Sequence, residues 1–287
     1  MKTKHLLTAL LASLLCLATC SSVYCKETTE MKKIYFLAGK GSHGKDCHAF
    51  SAGSRLLASI LNENVTGVNA VVCENGWPDD TSFLDNAAAV VMFCDGLNHH
   101  VGNGHWEELD KMAKKGVGIA VLHYAAVVAK GKTGDYFLDW MGGYYEPGWS
   151  VNPHWEANFE SFPEHPVTRG MKPFTIHDEW YFHMRYREGM NNVTPVLSAH
   201  PPASTMKRPD GPHSGNPDVR AAVKNGEIQH VAWVATRPGG GRGFGFTGAH
   251  YHKNWQDENF RRLVLNALAW IANVEIPQDG VPVAIPE

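Results

Sequence analysis

Short apolar runs alternate with amphipathic segments through the first half of this chain. Lys33–Gly39, Val68–Cys73, Ala87–Cys94 and Val117–Leu122 are near-continuous apolar stretches. Strands buried on both faces of a parallel sheet read this way. Between them, Phe50, Leu56, Leu57, Ile60 and Leu61 fall at helical spacing and predict a helix over 49–62. Trp106, Leu109, Met112 and Ala113 mark another, stopped by Gly116. A third helical pattern over Tyr136–Met141 ends at Gly142-Gly143. Strands alternating with helices predict an α/β protein with a doubly wound, mostly parallel sheet flanked by helices.

The second half is less regular. Residues 144–174 show no period and read as an ordered insertion, because loops this long in compact domains are usually functional. Thr175–His183 is strand-like around a polar centre. Val193–Ala199, His230–Thr236 and Gly243–Gly248 read as further strands. Phe260, Leu263, Val264, Ala267, Leu268 and Ile271 outline a closing helix. The reading is a single domain over 31–275 with a proline-rich surface tail over 276–287.

Composition changes the picture in three places. The formal net charge of -3 comes with no basic stripe, which argues against a nucleic-acid partner. The first 25 residues carry Lys2, Lys4 and an apolar run from Leu6 to Leu17, the pattern of an export signal. Leu17-Ala18-Thr19-Cys20 resembles a lipoprotein box. The expectation is an exported protein, either cleaved nearby and periplasmic or tethered to a membrane through a lipid on Cys20. Sixteen histidines stand out, since histidine is the commonest metal ligand and titrates near neutrality.

Several of these histidines follow predicted strands, where doubly wound sheets bind ligands. His43 and His48 follow the first strand, Asp95, His99 and His100 the third, and His123 the fourth. Gly39-Lys40-Gly41-Ser42-His43-Gly44 matches a dinucleotide loop, with Glu74 closing the second strand. However, Lys45–His48 separate the loop from the helix, and Glu74 lies beyond the usual spacing of about twenty residues. An NAD site is therefore the lesser reading. His123 occupies a strand-to-helix turn where some hydrolases place a nucleophile; an imidazole there serves as a ligand or proton-transfer group. Asp178 and Glu179 point to opposite faces if extended, so one of them faces the crevice. His250 and His252 share a face if the strand continues through them. With His43 and a carboxylate they predict a divalent-metal site. Trp149, Trp155, Trp180, Tyr144, Tyr145 and Trp255 could stack on sugar faces.

The motifs Leu37–Gly44 with His48, Phe93–Gly96, Leu122–Tyr124, Ser150–Trp155, Asp178–Tyr181 and Gly243–Gly248 with His250, His252, Asn254 and Trp255 together resemble the ThuA-like family of trehalose utilisation. The resemblance implies a flavodoxin-like, class I glutamine amidotransferase fold without the catalytic cysteine. It also implies carbohydrate catabolism beside oxidoreductases that make 3-keto-glycosides. The chemistry expected of such a partner is that of a lyase, hydratase or hydrolase on a keto-sugar. His123, Asp178 and Glu179 are the expected proton-transfer groups. His43, His250 and His252 are expected to hold the metal, and His48, Asp95, His154, Trp155 and Arg242 the sugar. The alternatives are an NAD-dependent sugar oxidoreductase and a non-catalytic carbohydrate-binding protein.

Overall fold

A computed structural model describes residues 31–286. The expected export signal and Cys20 lie outside the described residues. In chain order the elements are β1 (Lys32–Ala38), α1 (Phe50–Asn64), β2 (Val68–Cys73), α2 (Phe83–Asn86), β3 (Ala87–Phe93), α3 (Trp106–Lys114), β4 (Gly118–Leu122) and α4 (Lys132–Met141). Then come β5 (Gly143–Tyr144), β6 (Trp155–Phe159), β7 (Phe174–Asp178), β8 (Arg185–Tyr186), β9 (Val193–Ala199), α5 (Pro217–Lys224), β10 (Gln229–Thr236), β11 (Arg242–Phe246) and α6 (Glu258–Ile271).

One seven-stranded sheet has the order β2-β1-β3-β4-β11-β10-β9. β2, β1, β3, β4 and β11 are parallel, and β10 runs antiparallel to both neighbours. The predicted α/β sheet is therefore the one that forms. Successive side chains of a strand go to opposite faces. Phe36, Phe93, Leu122 and Phe246 pack on one face with α1 and α6, while Leu37, Met92 and Val121 pack on the other with α3 and α4.

α6 is buried nearly all round, as a helix that is apolar on every side must be. Asp257 caps it by accepting from the Phe260 N–H at 2.9 Å. The tail covers it. Ile276, Val281 and Val283 join the core, and Asn266 Oδ1 accepts from the Val281 N–H at 2.7 Å. The expected surface tail is thus part of the packing.

The insertion over 144–174 contains β6, which pairs antiparallel with β7. Burial alternates along β6, and Trp155, Ala157 and Phe159 are the inward set. Two glycines of the late strand are explained by indoles. A Cβ at Gly245 would lie 2.2 Å from the Trp233 ring, and one at Gly248 would lie 2.6 Å from Trp180. Their backbone approaches aromatic side chains closely.

The site is positioned by the sheet. β1 sits between β2 and β3, so the strand order reverses there, and the crevice of such a fold opens at the carboxyl ends beside that reversal.

Candidate functional site

Four buried side chains from separate segments meet at those carboxyl ends. His123 follows β4 directly, with φ +55°. His48 lies in the loop after β1 with φ +45°. Ala249, with φ +83°, turns the chain after β11 and delivers His250. Glu179 follows β7. Left-handed backbone costs a non-glycine residue of order 1–3 kcal/mol and persists where the surroundings over-determine it. Here three such positions aim imidazoles at one point.

The distances are short. His48 Nε2 lies 3.0 Å from His250 Nδ1 and 3.1 Å from His123 Nε2. Glu179 Oε2 lies 3.1 Å from His250 Nδ1 and 3.4 Å from His123 Nε2. One donor atom from each of the four residues falls within 4.8 Å of the others.

The partners on the far side of two rings decide which nitrogens carry hydrogen. His123 Nδ1 donates to the Thr247 carbonyl at 2.8 Å, and a carbonyl can only accept. Ser42 Oγ donates to Asp95 Oδ1 at 2.7 Å, and His48 Nδ1 donates to the same oxygen at 3.2 Å. In the neutral rings, both Nε2 atoms then present lone pairs to each other. A positive charge between them, proton or cation, removes that conflict. Burial pushes His48 down to about 4, with Asp95 opposing and the neighbouring imidazoles adding to the fall. A second proton on His48 is therefore disfavoured at neutral pH. Burial pushes the Glu179 carboxyl up, but the His123 and His250 contacts outweigh it and hold the group below the usual carboxylate range.

Asp178 is the anchor beneath this cluster. It is fully buried and faces away from Glu179, as the alternation predicts. Its Oδ2 accepts from the Ala249 N–H at 2.8 Å and from Asn254 Nδ2 at 2.9 Å. Its Oδ1 accepts from the N–H groups of His250 at 3.1 Å and Glu179 at 2.7 Å. Asp178 thus positions the backbone of two cluster residues. Its expected role in proton transfer does not fit, because its oxygens are engaged below the cleft.

Above the cluster is a solvent-open cleft of about 350 Å³, lined by Tyr124, Tyr145, Asn152, Tyr181 and His213 together with His43, His48 and Glu179. Asn152 Nδ2 donates to Glu179 Oε1 at 3.0 Å, and Arg208 holds Asn152 Oδ1 at 2.8 Å. The Tyr181 hydroxyl donates to Glu179 Oε2 at 3.3 Å. Burial and the nearby Glu179 charge push its phenol well above the usual range, so it stays a donor. His213 Nδ1 lies 2.9 Å from the Tyr145 hydroxyl. Burial, and then the Arg208 charge, lower His213. Burial and Glu179 raise Tyr145.

Several expected site residues lie elsewhere. His48, expected to touch sugar, sits in the metal-competent cluster. His43 is exposed beside it, 2.9 Å from Ser42 Oγ, and is not among the four. His252 is absent from the cluster because the turn at Ala249 breaks the extended path; it begins a short 3-10 helix, and its Nδ1 is buried without a hydrogen-bond partner among the described residues. Trp155 belongs to the core, its Nε1 donating to the Trp180 carbonyl at 2.9 Å. Arg242 stands at the opposite, amino end of β11. There it lies over the Trp270 ring at 4.6 Å and donates to the Trp270 carbonyl. His154 is at the rim, 3.7 Å from Glu179 Oε1, and Asp95 backs His48. Of the six aromatics expected to stack on sugar, Tyr145 alone is among the cleft-lining residues. The Arg242→Ala variant is expected to leave sugar binding unchanged within twofold, as titration calorimetry would report; a larger loss contradicts its remoteness.

Tyr181, Asn152 and His213 were not singled out from the sequence. Tyr181 lies two residues after Glu179, so the period of two that separates Asp178 from Glu179 could have found it. Asn152 falls within the Ser150–Trp155 motif without a role assigned to it there, and nothing local marks His213. The dinucleotide loop gains no support: α1 begins at Phe50, well past Gly44, and Glu74 is engaged by Arg55 Nη1 at 2.6 Å.

Comparison with solved structures finds this architecture elsewhere. A putative ThuA-like protein from Bacteroides uniformis aligns with a TM-score of 0.56 at 16% identity, over 92% of this chain and 98% of that one. The protein STM1381 from Salmonella typhimurium, described as cytoplasmic, aligns with a TM-score of 0.50 at 13% identity, over 84% of this chain and 99% of that one. At such identities the likeness is one of fold. No curated protein matches the chain. The family model of ThuA, described as trehalose utilisation, matches residues 39–271. The chain therefore belongs to the ThuA family, which is linked to carbohydrate utilisation.

Proposed function

We propose that this chain is an exported, metal-assisted enzyme of carbohydrate breakdown acting on glycosides with a carbonyl at C3. The observation that carries the reading is the convergence of His48 Nε2, His123 Nε2, His250 Nδ1 and Glu179 Oε2 beneath a polar cleft. The donor set fits a divalent cation of the zinc, manganese or iron type, which imidazole and carboxylate ligands suit. The acceptors behind His123 and His48 are the outer partners such sites use to orient imidazoles. When bound, the ion supplies Lewis-acid polarisation of a carbonyl oxygen.

The remaining steps fall to side chains of the cleft. A carbonyl at C3 acidifies the hydrogen on C2. A base takes that proton, and the electron pair moves onto the C3 oxygen as an enolate. Return of the pair forms the C1–C2 double bond and breaks the bond from C1 to the leaving oxygen, which takes up a proton. The products are an enone and an alcohol, and water can then add to the enone. His123 and Glu179 would hold the ion, which leaves the proton transfer to the walls of the cleft. His213, neutral through burial, is the base, oriented by the Tyr145 hydroxyl. His43, at the solvent rim, returns a proton to the leaving oxygen. Asn152 and His154, both near Glu179 Oε1, bind hydroxyls.

Elemental analysis of tag-free protein, followed by turnover of a 3-keto-glucoside with and without chelator, tests this. The expected result is about one equivalent of metal, and turnover that chelation removes and metal restores. Metal-free protein with chelator-insensitive turnover would sink the metal assignment. Sugar binding without any turnover would favour the non-catalytic carbohydrate-binding alternative.

A further inference from the structure

The four donor atoms at the floor of the cleft are not spaced as the corners of a tetrahedron. Taken in order, His48 Nε2, His250 Nδ1, Glu179 Oε2 and His123 Nε2 form a closed ring whose sides measure 3.0, 3.1, 3.4 and 3.1 Å. Across that ring no His48 nitrogen comes within 4.0 Å of a Glu179 oxygen, although the four donors all lie within 4.8 Å of one another. With donors about 2.1 Å from an ion, a tetrahedron puts every pair about 3.4 Å apart. An octahedron puts neighbours about 3.0 Å apart and opposite donors about 4.2 Å apart. Three of the four sides and the long diagonal follow the second pattern. The difference decides what the site can do. Four protein donors complete a tetrahedral ion, and such closed sites are structural. Six-fold coordination leaves room for a ligand beside the same four donors.

Tyr181 marks where that ligand would sit. Its hydroxyl lies 3.2 Å from His123 Nε2 and 3.3 Å from Glu179 Oε2, against the widest side of the ring, and Tyr181, His48 and Glu179 all line the cleft. The phenol is held in place. It stacks on the His123 imidazole with centroids 4.7 Å apart and planes 29° apart. Its backbone carbonyl accepts from Thr247 Oγ1 at 3.0 Å, and the Thr247 carbonyl in turn accepts from His123 Nδ1 at 2.8 Å. Once an ion takes the lone pairs of His123 Nε2 and Glu179 Oε2, the hydroxyl can turn to a ligand atom beside them. We propose that the cluster takes its ion in six-fold coordination, with an exchangeable position facing the cleft, and that Tyr181 donates the hydrogen bond to the small anion or developing oxyanion that fills it. The inference rests on the metal-assisted reading of this cleft and adds to it the open position and its donor.

Cobalt(II) titrated into the metal-free full chain, followed by the visible spectrum and then by addition of azide, tests the inference. The wild type is expected to bind one equivalent with the weak bands of six-coordinate cobalt, and azide is expected to shift them. Tyr181→Phe should keep the equivalent of cobalt and its weak bands. It should bind azide about tenfold more weakly, the effect of losing one hydrogen bond to a charged group. Intense bands of tetrahedral cobalt in the wild type, or bands that azide leaves unmoved, overturn the open position and leave a closed metal site standing. Unchanged azide affinity in Tyr181→Phe overturns its role as donor, and so does loss of the cobalt, which would make Tyr181 a ligand. The wild-type spectrum decides the coordination whether or not the variant folds. A wild type that binds no cobalt removes this inference and the metal reading together.

Discussion

His123→Ala is expected to yield a folded protein that no longer retains a divalent metal through purification. The imidazole supplies one of four donor atoms, and its removal leaves Glu179 with a lost partner in a buried setting. Losing an outer partner of a metal ligand typically costs about 10–100-fold in affinity, and losing the ligand itself costs more. Asp95→Asn supplies the milder comparison, because the amide oxygen still accepts from His48 Nδ1 while the carboxylate charge is gone. It should weaken metal binding within that 10–100-fold range. Elemental analysis, competition with a chromophoric chelator and circular dichroism separate these outcomes. A His123→Ala protein that keeps a full equivalent of metal would show that the four residues are not the ligands. The affinity of the wild type should also fall as the pH is lowered, because protons compete for the imidazoles.

Asp178→Ala is expected to be the most destabilising single change in the site, by about 4 kcal/mol or more. The carboxylate accepts from three backbone N–H groups and the Asn254 amide, all away from water. Hydrogen bonds to a charged group contribute about 1.5–3 kcal/mol each and are not additive, and each buried donor left unpaired adds a further cost. The same change frees Ala249 from its left-handed turn, so His250 and Glu179 lose their placement together. The urea midpoint should fall sharply with the slope unchanged. Glu179→Gln, one residue along, should shift stability far less, since the amide oxygen still accepts from Asn152 Nδ2 and the amide NH2 can donate to the Tyr181 hydroxyl once that hydroxyl turns. A loss under about 1 kcal/mol for Asp178→Ala would mean that the turn at Ala249 is held by something else.

The contrast between these neighbours illustrates how far the sequence could be read. That Asp178 and Glu179 face opposite ways follows from the period of an extended chain. Which of them faces the cleft, and that the other organises a turn 71 residues away, follows only from the packing of the end of β7 beside the turn after β11. His250 and His252 show the same limit from the other side. Two-residue spacing predicts a shared face only while the backbone stays extended, and the left-handed Ala249 ends that condition. Trp155 was misread for a related reason. Its alternation with Glu156 is local, but the face that becomes the core is decided by the elements that cover it. Arg242 and His250 sit close in sequence, yet a five-residue strand puts about 13 Å or more between its ends and hence between their surroundings.

Burial with a fixed period is a local property, so the sequence by itself determined the seven strands of the main sheet, the main helices, the largely parallel order and the end of that sheet where polar residues collect. It also supplied the histidines that follow β1, β4 and β11. The set that meets was decided by tertiary structure alone. His48 is 75 residues from His123 and 202 from His250, and no local period relates them. The directions of their rings come from left-handed backbone positions that burial and hydrogen bonding enforce, and those forces exist only once the chain has folded.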